Sequence, residues 1–227
     1  MTNSQPDNLF PAATVVLIRE RDALEVLLLR RNSKLAFHGG SWVFPGGRVD
    51  HDDIGTATND AFEPAARRAA VREASEEAGV VISPDELVFF SHWTTPVGRP
   101  KRFSTWFFIA GAPDQAVTVD GGEIHAYQWM SARSALDAQA AGDIELPAPT
   151  YVTLLKLAPY QTVRDAIAGF GADRAEYFVP RYHKLDDGAC SVYEEDAGYA
   201  DGNLDVPGAR HRLYMQQAGW RYLRDWS

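Results

Sequence analysis

One cysteine, Cys190, stands alone in 227 residues. A single thiol excludes an internal disulfide and lacks the partners of a cysteine metal site, so the chain suits a reducing compartment. Basic residues are in deficit: 22 Lys and Arg face 31 Asp and Glu, for a net charge of −9 and a pI near 5.1. That balance excludes nucleic-acid binding through a general positive field. An anionic ligand would have to be held by metal ions and a few local basic groups. Long apolar runs are missing too, since none approaches the roughly 18 residues of a membrane span. Met1 to Pro11 has neither a basic n-region nor an apolar core. There is no internal repeat and no low-complexity tract. These absences lead us to expect a soluble cytoplasmic protein with no membrane or nucleic-acid partner.

What is present is ordinary in bulk, with 45% hydrophobic and 23% charged residues, the balance of a globular protein. The length suits one large domain, or one domain with a sizeable C-terminal extension. Residues 1–11 read as a loose arm. Ala12–Ile18 and Glu25–Leu29 are apolar, β-branched runs around Arg21-Asp22-Ala23 and read as a hairpin. A glycine-rich loop runs from Phe37-His38-Gly39-Gly40 to Phe44-Pro45-Gly46-Gly47, and residues 49–60 read as a polar loop. Ala61 to Ala78 lacks glycine and ends at Gly79, a helix with an αL cap. Its Ala66, Ala69, Ala70 and Ala74 form a small-residue face for close packing on a sheet. Further strands are expected at Leu87–Trp93, Ser104–Ala110 and Glu123–Met130. Helices are expected at Ala132–Ala141, Tyr151–Leu157 and Pro159–Phe170.

The chemistry-bearing stretch is Arg72-Glu73-Ala74-Ser75-Glu76-Glu77-Ala78-Gly79-Val80. Spacings of three and four place the carboxylates of Glu73, Glu76 and Glu77 on one helical face. Three like charges repel, and a solvated surface helix gains little from crowding them. A hard divalent cation turns the same arrangement into a ligand set.

These residues, with Gly47 behind Phe44-Pro45, resemble the Nudix hydrolase signature. Two features depart from it. Gly47 and Arg72 lie 25 positions apart, which is 11 more than the usual spacing, and the signature's early glutamate falls at Pro64. The resemblance implies an α/β/α sandwich with a central mixed β-sheet, and a diphosphatase using Mg2+, with Mn2+ as an alternative. It implies Glu73, Glu76 and Glu77 as metal ligands, with the Gly46 carbonyl as a further one. Arg72 would pair with a signature glutamate and fix its rotamer, and Glu123 resembles a further family glutamate that binds metal or activates water. Glu76, Glu77 and Glu123 all remain candidates for the group that accepts the water proton.

A longer similarity runs from Leu27 to Gly47 and resembles the coenzyme A diphosphatases, with Ala36 where their usual arginine stands. Trp93-Thr94-Thr95-Pro96, Leu146-Pro147-Ala148-Pro149-Thr150, Val179-Pro180 and Asp187-Gly188 extend it towards acyl-coenzyme A diphosphatases of the Nudix-19 type. The implied partner is a small-molecule diphosphate: coenzyme A or its acyl derivative, giving 3′,5′-ADP and (acyl-)4′-phosphopantetheine. ADP-ribose, NADH or dinucleoside polyphosphates are the alternatives, and a non-catalytic ligand sensor is the rival from another class. Arg31, Arg48, Arg99, Lys101 and Arg102 are the candidate substrate-binding residues, although the last three also suit a plain solvated loop. His38 and His92 read as structural. Trp42 and Trp93 read as core in preference to adenine-stacking rings.

Residues 12–170 are expected to form the hydrolase domain. Residues 171–227 form a helical, aromatic extension, packed on the domain or at a homodimer interface. The aromatic content of this tail argues against disorder.

Overall fold

The computed structural model describes residues 9–33, 39–55, 62–119 and 121–225. His38 and the stretch Lys34–Phe37, with Asn59 and Asp60 of the expected polar loop, fall outside them. The chain forms two compact units. The larger comprises Pro11–His92 and Thr105–Glu176. The smaller comprises Met1–Phe10, Trp93–Ser104 and Tyr177–Ser227. The expected division at residue 170 thus differs from where the contacts part.

The larger unit is built on a sheet whose strands are ordered β3-β2-β1-β6-β5, with β4 on β1 and β7 on β2. These are β1 (Leu9–Glu20), β2 (Leu24–Arg31), β3 (Trp42–Val43), β4 (Gly46–Arg48), β5 (Val88–Thr94), β6 (Arg102–Gly111) and β7 (Ile124–Met130). The expected β1–β2 hairpin is present, with Ile18 opposite Val26 and Glu20 opposite Leu24. Strand β1 begins at Leu9, which corrects the expected loose arm at residues 9–11. The glycine-rich loop also differs from expectation, because it contributes β3 and β4. Strand β4 pairs with β1 through Ala13↔Gly47 and Thr14↔Gly46, where glycine lets two backbones approach closely.

Helix α1 (His51–Ile54) corrects the reading of 49–60 as a loop. Asp50 caps it, and Asp53 in its first turn accepts the Asp50 N–H at 2.9 Å. Helix α2 (Phe62–Ala78) follows, with Ala65, Ala66, Ala69, Ala70, Ala74 and Ala78 all buried. These join Val15, Leu17, Leu27, Leu29 and Phe108 in one core. Methyl-sized side chains bring the helix axis close to the sheet, where one added methylene would be felt. Gly79 ends the helix at φ 67°, donating to the Ser75 carbonyl at 3.0 Å in the αL motif.

A 3-10 turn, Pro84–Glu86, is held to α2 by Arg67, whose guanidinium donates to the Pro84 and Leu87 carbonyls at 3.1 and 2.5 Å. Helices α3 (Ala132–Ala141), α4 (Ala148–Leu157) and α5 (Val163–Ala172) complete the unit. Helix α4 starts earlier than expected because Pro149 suits its first turn, with Pro147 at the N-cap. Helix α5 starts later, at the Thr162 cap, whose side chain accepts the Asp165 N–H. The α/β class with a mixed central sheet holds.

The smaller unit is β-structure, which corrects the expected helical extension. Beyond Ala172 the described elements are all strands: β8 (Glu176–Phe178), β9 (Arg181–Leu185), β10 (Gly188–Val192), β11 (His211–Gln216) and β12 (Gly219–Arg224). Four of them form an antiparallel sheet ordered β12-β11-β10-β9. The two-residue turns Asp186-Asp187 and Gln217-Ala218 carry the hairpins, closed by the pairs Leu185↔Gly188 and Gln216↔Gly219, and the aromatic residues between suit pleated packing better than a helix. Trp93 stacks on Phe178 with ring centroids 3.8 Å apart and planes 3° apart, a core role. Arg212 and Asp196 form a buried, two-bond ion pair at 2.7 and 2.5 Å. Among the described residues, no helix is long and apolar enough to cross a membrane.

Candidate active site

Helix α2 presents Arg72, Glu73, Glu76 and Glu77 beside the backbone of β4. The register of β4 on β1 fixes that backbone, and the alanine face of α2 fixes the helix. Glu77 is 6% exposed, and its Oε2 accepts the Gly46 N–H at 2.9 Å. Glu73 lies against Gly47 so closely that a Cβ on Gly47 would fall 2.5 Å from the Glu73 Cδ. The second glycine is therefore a condition for the carboxylate to occupy this place.

Burial is the largest influence on Glu77 and raises its pKa to about 8. The Gly46 N–H and Arg31 oppose that rise, while Glu73 and Glu123 add to it. Burial also raises the Glu73 pKa, against the lowering effect of Arg72. Among the described residues, no cationic side chain is within ion-pair distance of Glu77.

Arg72 is the hub. Its Nη1 donates to Glu73 Oε1 and Glu76 Oε2, both at 2.9 Å. Its Nη2 donates to Asp53 Oδ2 and to the Arg48 carbonyl, again at 2.9 Å. Its Nε donates to Asp53 Oδ1 at 3.3 Å. The guanidinium's five N–H donors thus each have an acceptor. The bond to Asp53 is the largest influence on Arg72, and it raises the pKa further.

Arg31 Nη2 stands 3.5 Å from Glu123 Oε2, and its buried Nε has no hydrogen-bond partner among the described residues. Both residues act electrostatically on Glu77, so Glu123 and Arg31 belong to this neighbourhood, as does Arg48 through its carbonyl. Arg99, Lys101 and Arg102 belong to the smaller unit. There Arg99 sits 5.7 Å over the Tyr182 ring, and Arg102 is buried with its Nε donating to the Thr95 carbonyl at 3.1 Å. His92 meets the Trp106 ring edge-on, the structural role expected of it.

Glu73 lies near Glu76 and near Glu77, but the expected ligands form no finished cage. Among the described residues, no three Asp, Glu, His or Cys side chains stand ready around one point. Arg72 occupies Glu73 and Glu76. The residue missed by the sequence reading is Asp53. Its signal was the Asp50-His51-Asp52-Asp53 run, with acidic groups at both ends of one helical turn. Its partner, 19 positions away, left no local trace.

The chain matches the NUDIX domain over residues 8–148. It belongs to the NUDIX domain family. A Caenorhabditis elegans protein bearing the name nudix hydrolase 7 is 27% identical over 182 residues. That alignment spans 64% of this chain and 60% of the relative, so less than two thirds of its length is represented. A Xenopus laevis acyl-coenzyme A diphosphatase, NUDT19, is 22% identical over 284 residues, covering 83% of this chain and 74% of that protein. The crystal structure of a Nudix hydrolase from Alicyclobacillus acidocaldarius superposes with a TM-score of 0.64 at 24% identity, covering 72% of this chain and 97% of that one. The last likeness is one of fold. In Nudix terms, the long spacing between Gly47 and Arg72 contains α1, and Pro64 sits in the first turn of α2 in place of the early glutamate.

Proposed function

We propose that this Nudix protein is a divalent-cation-dependent diphosphatase that hydrolyses a phosphoanhydride in a small molecule. The carrying observation is the buried Glu77, set beside Glu73 and the Gly46-Gly47 backbone with no cationic side chain among the described residues to pair it. A buried carboxylate of this kind needs a cation or a proton. The donor set is all oxygen, which suits Mg2+ or Mn2+. Glu73, Glu76, Glu77 and the Gly46 carbonyl would hold the ion. When bound, it supplies charge neutralisation for phosphate oxygens and a more acidic water.

The chain's own residues supply the rest. Arg72 orients Glu73 and Glu76, and the Gly46 N–H orients Glu77. Arg31, whose Nη2 lies beside Glu123, brings positive charge to the site for a phosphate oxygen. Glu76, Glu77 and Glu123 are the groups able to take the water proton. Phosphoryl transfer asks mainly for positioning and charge, which this set provides.

For the substrate, coenzyme A or an acyl derivative is the first choice. It is supported by similarity to the Xenopus acyl-coenzyme A diphosphatase across 83% of the chain. The test is a Mg2+-dependent screen of coenzyme A, acyl-coenzyme A, NADH, ADP-ribose and dinucleoside polyphosphates, with Glu77→Gln as control. Equal turnover by Glu77→Gln and wild type would remove the site assignment. Turnover of ADP-ribose with none of coenzyme A would move the substrate and leave the site in place. Ligand-induced thermal stabilisation without turnover of any of them would favour a sensor.

A further inference from the structure

Arg72 has two edges, and they face different kinds of partner. The Nη1 edge holds Glu73 and Glu76, whose side chains are 15% and 58% exposed, while the Nε/Nη2 edge holds Asp53, whose side chain is 6% exposed. Asp53 meets that edge with both carboxylate oxygens, the two-bond geometry that suits a guanidinium. It cannot swing away easily. Its Oδ2 also accepts the Asp50 N–H at 2.9 Å, and its own carbonyl accepts from Arg68 Nε at 2.6 Å. Arg68 Nη2 adds a bond to the Ile54 carbonyl at 3.3 Å. Helix α1 is thereby tied to α2 at the level of Arg72.

The difficulty that this solves is one of competition. Glu73 and Glu76 cannot give the same oxygens to Arg72 and to a cation. If they were its only carboxylate partners, Arg72 would be left uncompensated beside a dication, and would compete for those carboxylates. The early signature glutamate, a potential counter-ion, is replaced by Pro64, and the inserted residues bring Asp53 instead.

We propose that Asp53 is a positioning residue: it keeps Arg72 paired and in place, so that Glu73 and Glu76 are released to a divalent cation. This rests on the hydrolase reading of the same site. Asp53 contacts neither cation nor substrate; it acts through Arg72.

The test is calorimetric titration of the full-length protein with Mg2+ alone, together with hydrolysis rates across Mg2+ concentrations. Asp53→Asn should fold, raise the Mg2+ dissociation constant on the order of tenfold or more, and recover most of its kcat at high Mg2+. Asp53→Glu, which retains the charge, should stay much nearer to wild type in Mg2+ affinity. A folded Asp53→Asn that binds Mg2+ as tightly as wild type overturns the proposal.

Should Asp53→Asn fail to fold, the wild-type protein still decides. On Mg2+ addition the Arg72 Nε–H resonance should remain slowly exchanging, because its Asp53 bond persists. Loss of that protection when Mg2+ binds overturns the proposal. Wild-type protein that neither binds Mg2+ nor hydrolyses any diphosphate removes the hydrolase reading and this inference together. Unaltered Mg2+ binding in a folded Asp53→Asn removes this inference alone.

Discussion

Replacing Gly47 with alanine adds one methyl group where the site has no room for it. The new Cβ would lie 2.5 Å from the Glu73 Cδ and 2.8 Å from its Oε2, with Oε1 closer still. Non-bonded atoms settle at about 3.5–4 Å, so the carboxylate must retreat by about 1 Å. It is mostly buried and bonded to Arg72 Nη1 at 2.9 Å. Gly47 is not in the left-handed region, so alanine brings no backbone strain and the disturbance falls on Glu73. Overpacking of this kind costs about 1–3 kcal/mol, a fall of roughly 3–10 °C in Tm for a chain of this size. A displacement of about 1 Å in a site group can reduce the rate on the order of a hundredfold.

Gly46→Ala is the contrasting variant. Its Cβ would meet the Ala13 carbonyl oxygen at 2.5 Å and the Thr14 Cα at 2.8 Å, backbone atoms of β1 that cannot step aside. Melting curves and Mg2+-dependent hydrolysis, measured on both variants, should separate. Gly47→Ala should lose far more activity than stability, and Gly46→Ala should melt well below it. If Gly47→Ala keeps more than a third of wild-type kcat/KM, the placement of Glu73 against Gly47 is wrong.

Three further outcomes are expected. Folding raises the Glu77 pKa from 4.5 to about 8, so the native state binds the extra proton. This contribution to stability is full below pH 4.5 and is lost as pH rises through about 8, by an amount on the order of 5 kcal/mol at most. Thermal melts without added divalent ion should show it: Glu77→Gln should be less destabilised than wild type between pH 5 and 8, and an identical pH slope in the two refutes the assignment. Arg212→Met should cost about 3–5 kcal/mol in chemical denaturation, because it leaves the buried Asp196 carboxylate unpaired. Burial alone would raise the Asp196 pKa, but Arg212 and the His211 and Gly198 N–H groups hold it down at about 2. Ala70→Leu on the sheet-facing side of α2 should destabilise by about 1–3 kcal/mol through overpacking, read as a lower midpoint in urea.

What could be read from the sequence follows how local its cause is. The alanines at 66, 69, 70 and 74 identify the sheet-facing side of α2 by spacing alone, and the structure buries all four. Glu73 and Glu77 were legible for the same reason, being set by helix periodicity beside a glycine pair. Helix α1 was not, since four residues carry too little periodicity and its stability depends on Arg68 and Arg72, many positions later. In the tail, aromatic content indicated a packed segment, while its strands depend on pairings such as Cys190↔Tyr214 and Leu213↔Tyr222. Cross-strand partners of that kind are decided in three dimensions.

The geometry around Glu73 and Glu77 rests on two registers that the helix itself does not contain. One is the pairing of β4 with β1, which sets Gly46 opposite Thr14 and Gly47 opposite Ala13. A slip of one residue would turn each glycine to the other face, taking the Gly46 N–H from Glu77 and the open Gly47 position from Glu73. The other is the seating of α2 through its alanines, which fixes the height of both carboxylates above that strand. A change at either place acts on the site without touching a carboxylate. The sheet and the alanine face are therefore as much a part of the candidate site as the glutamates they position.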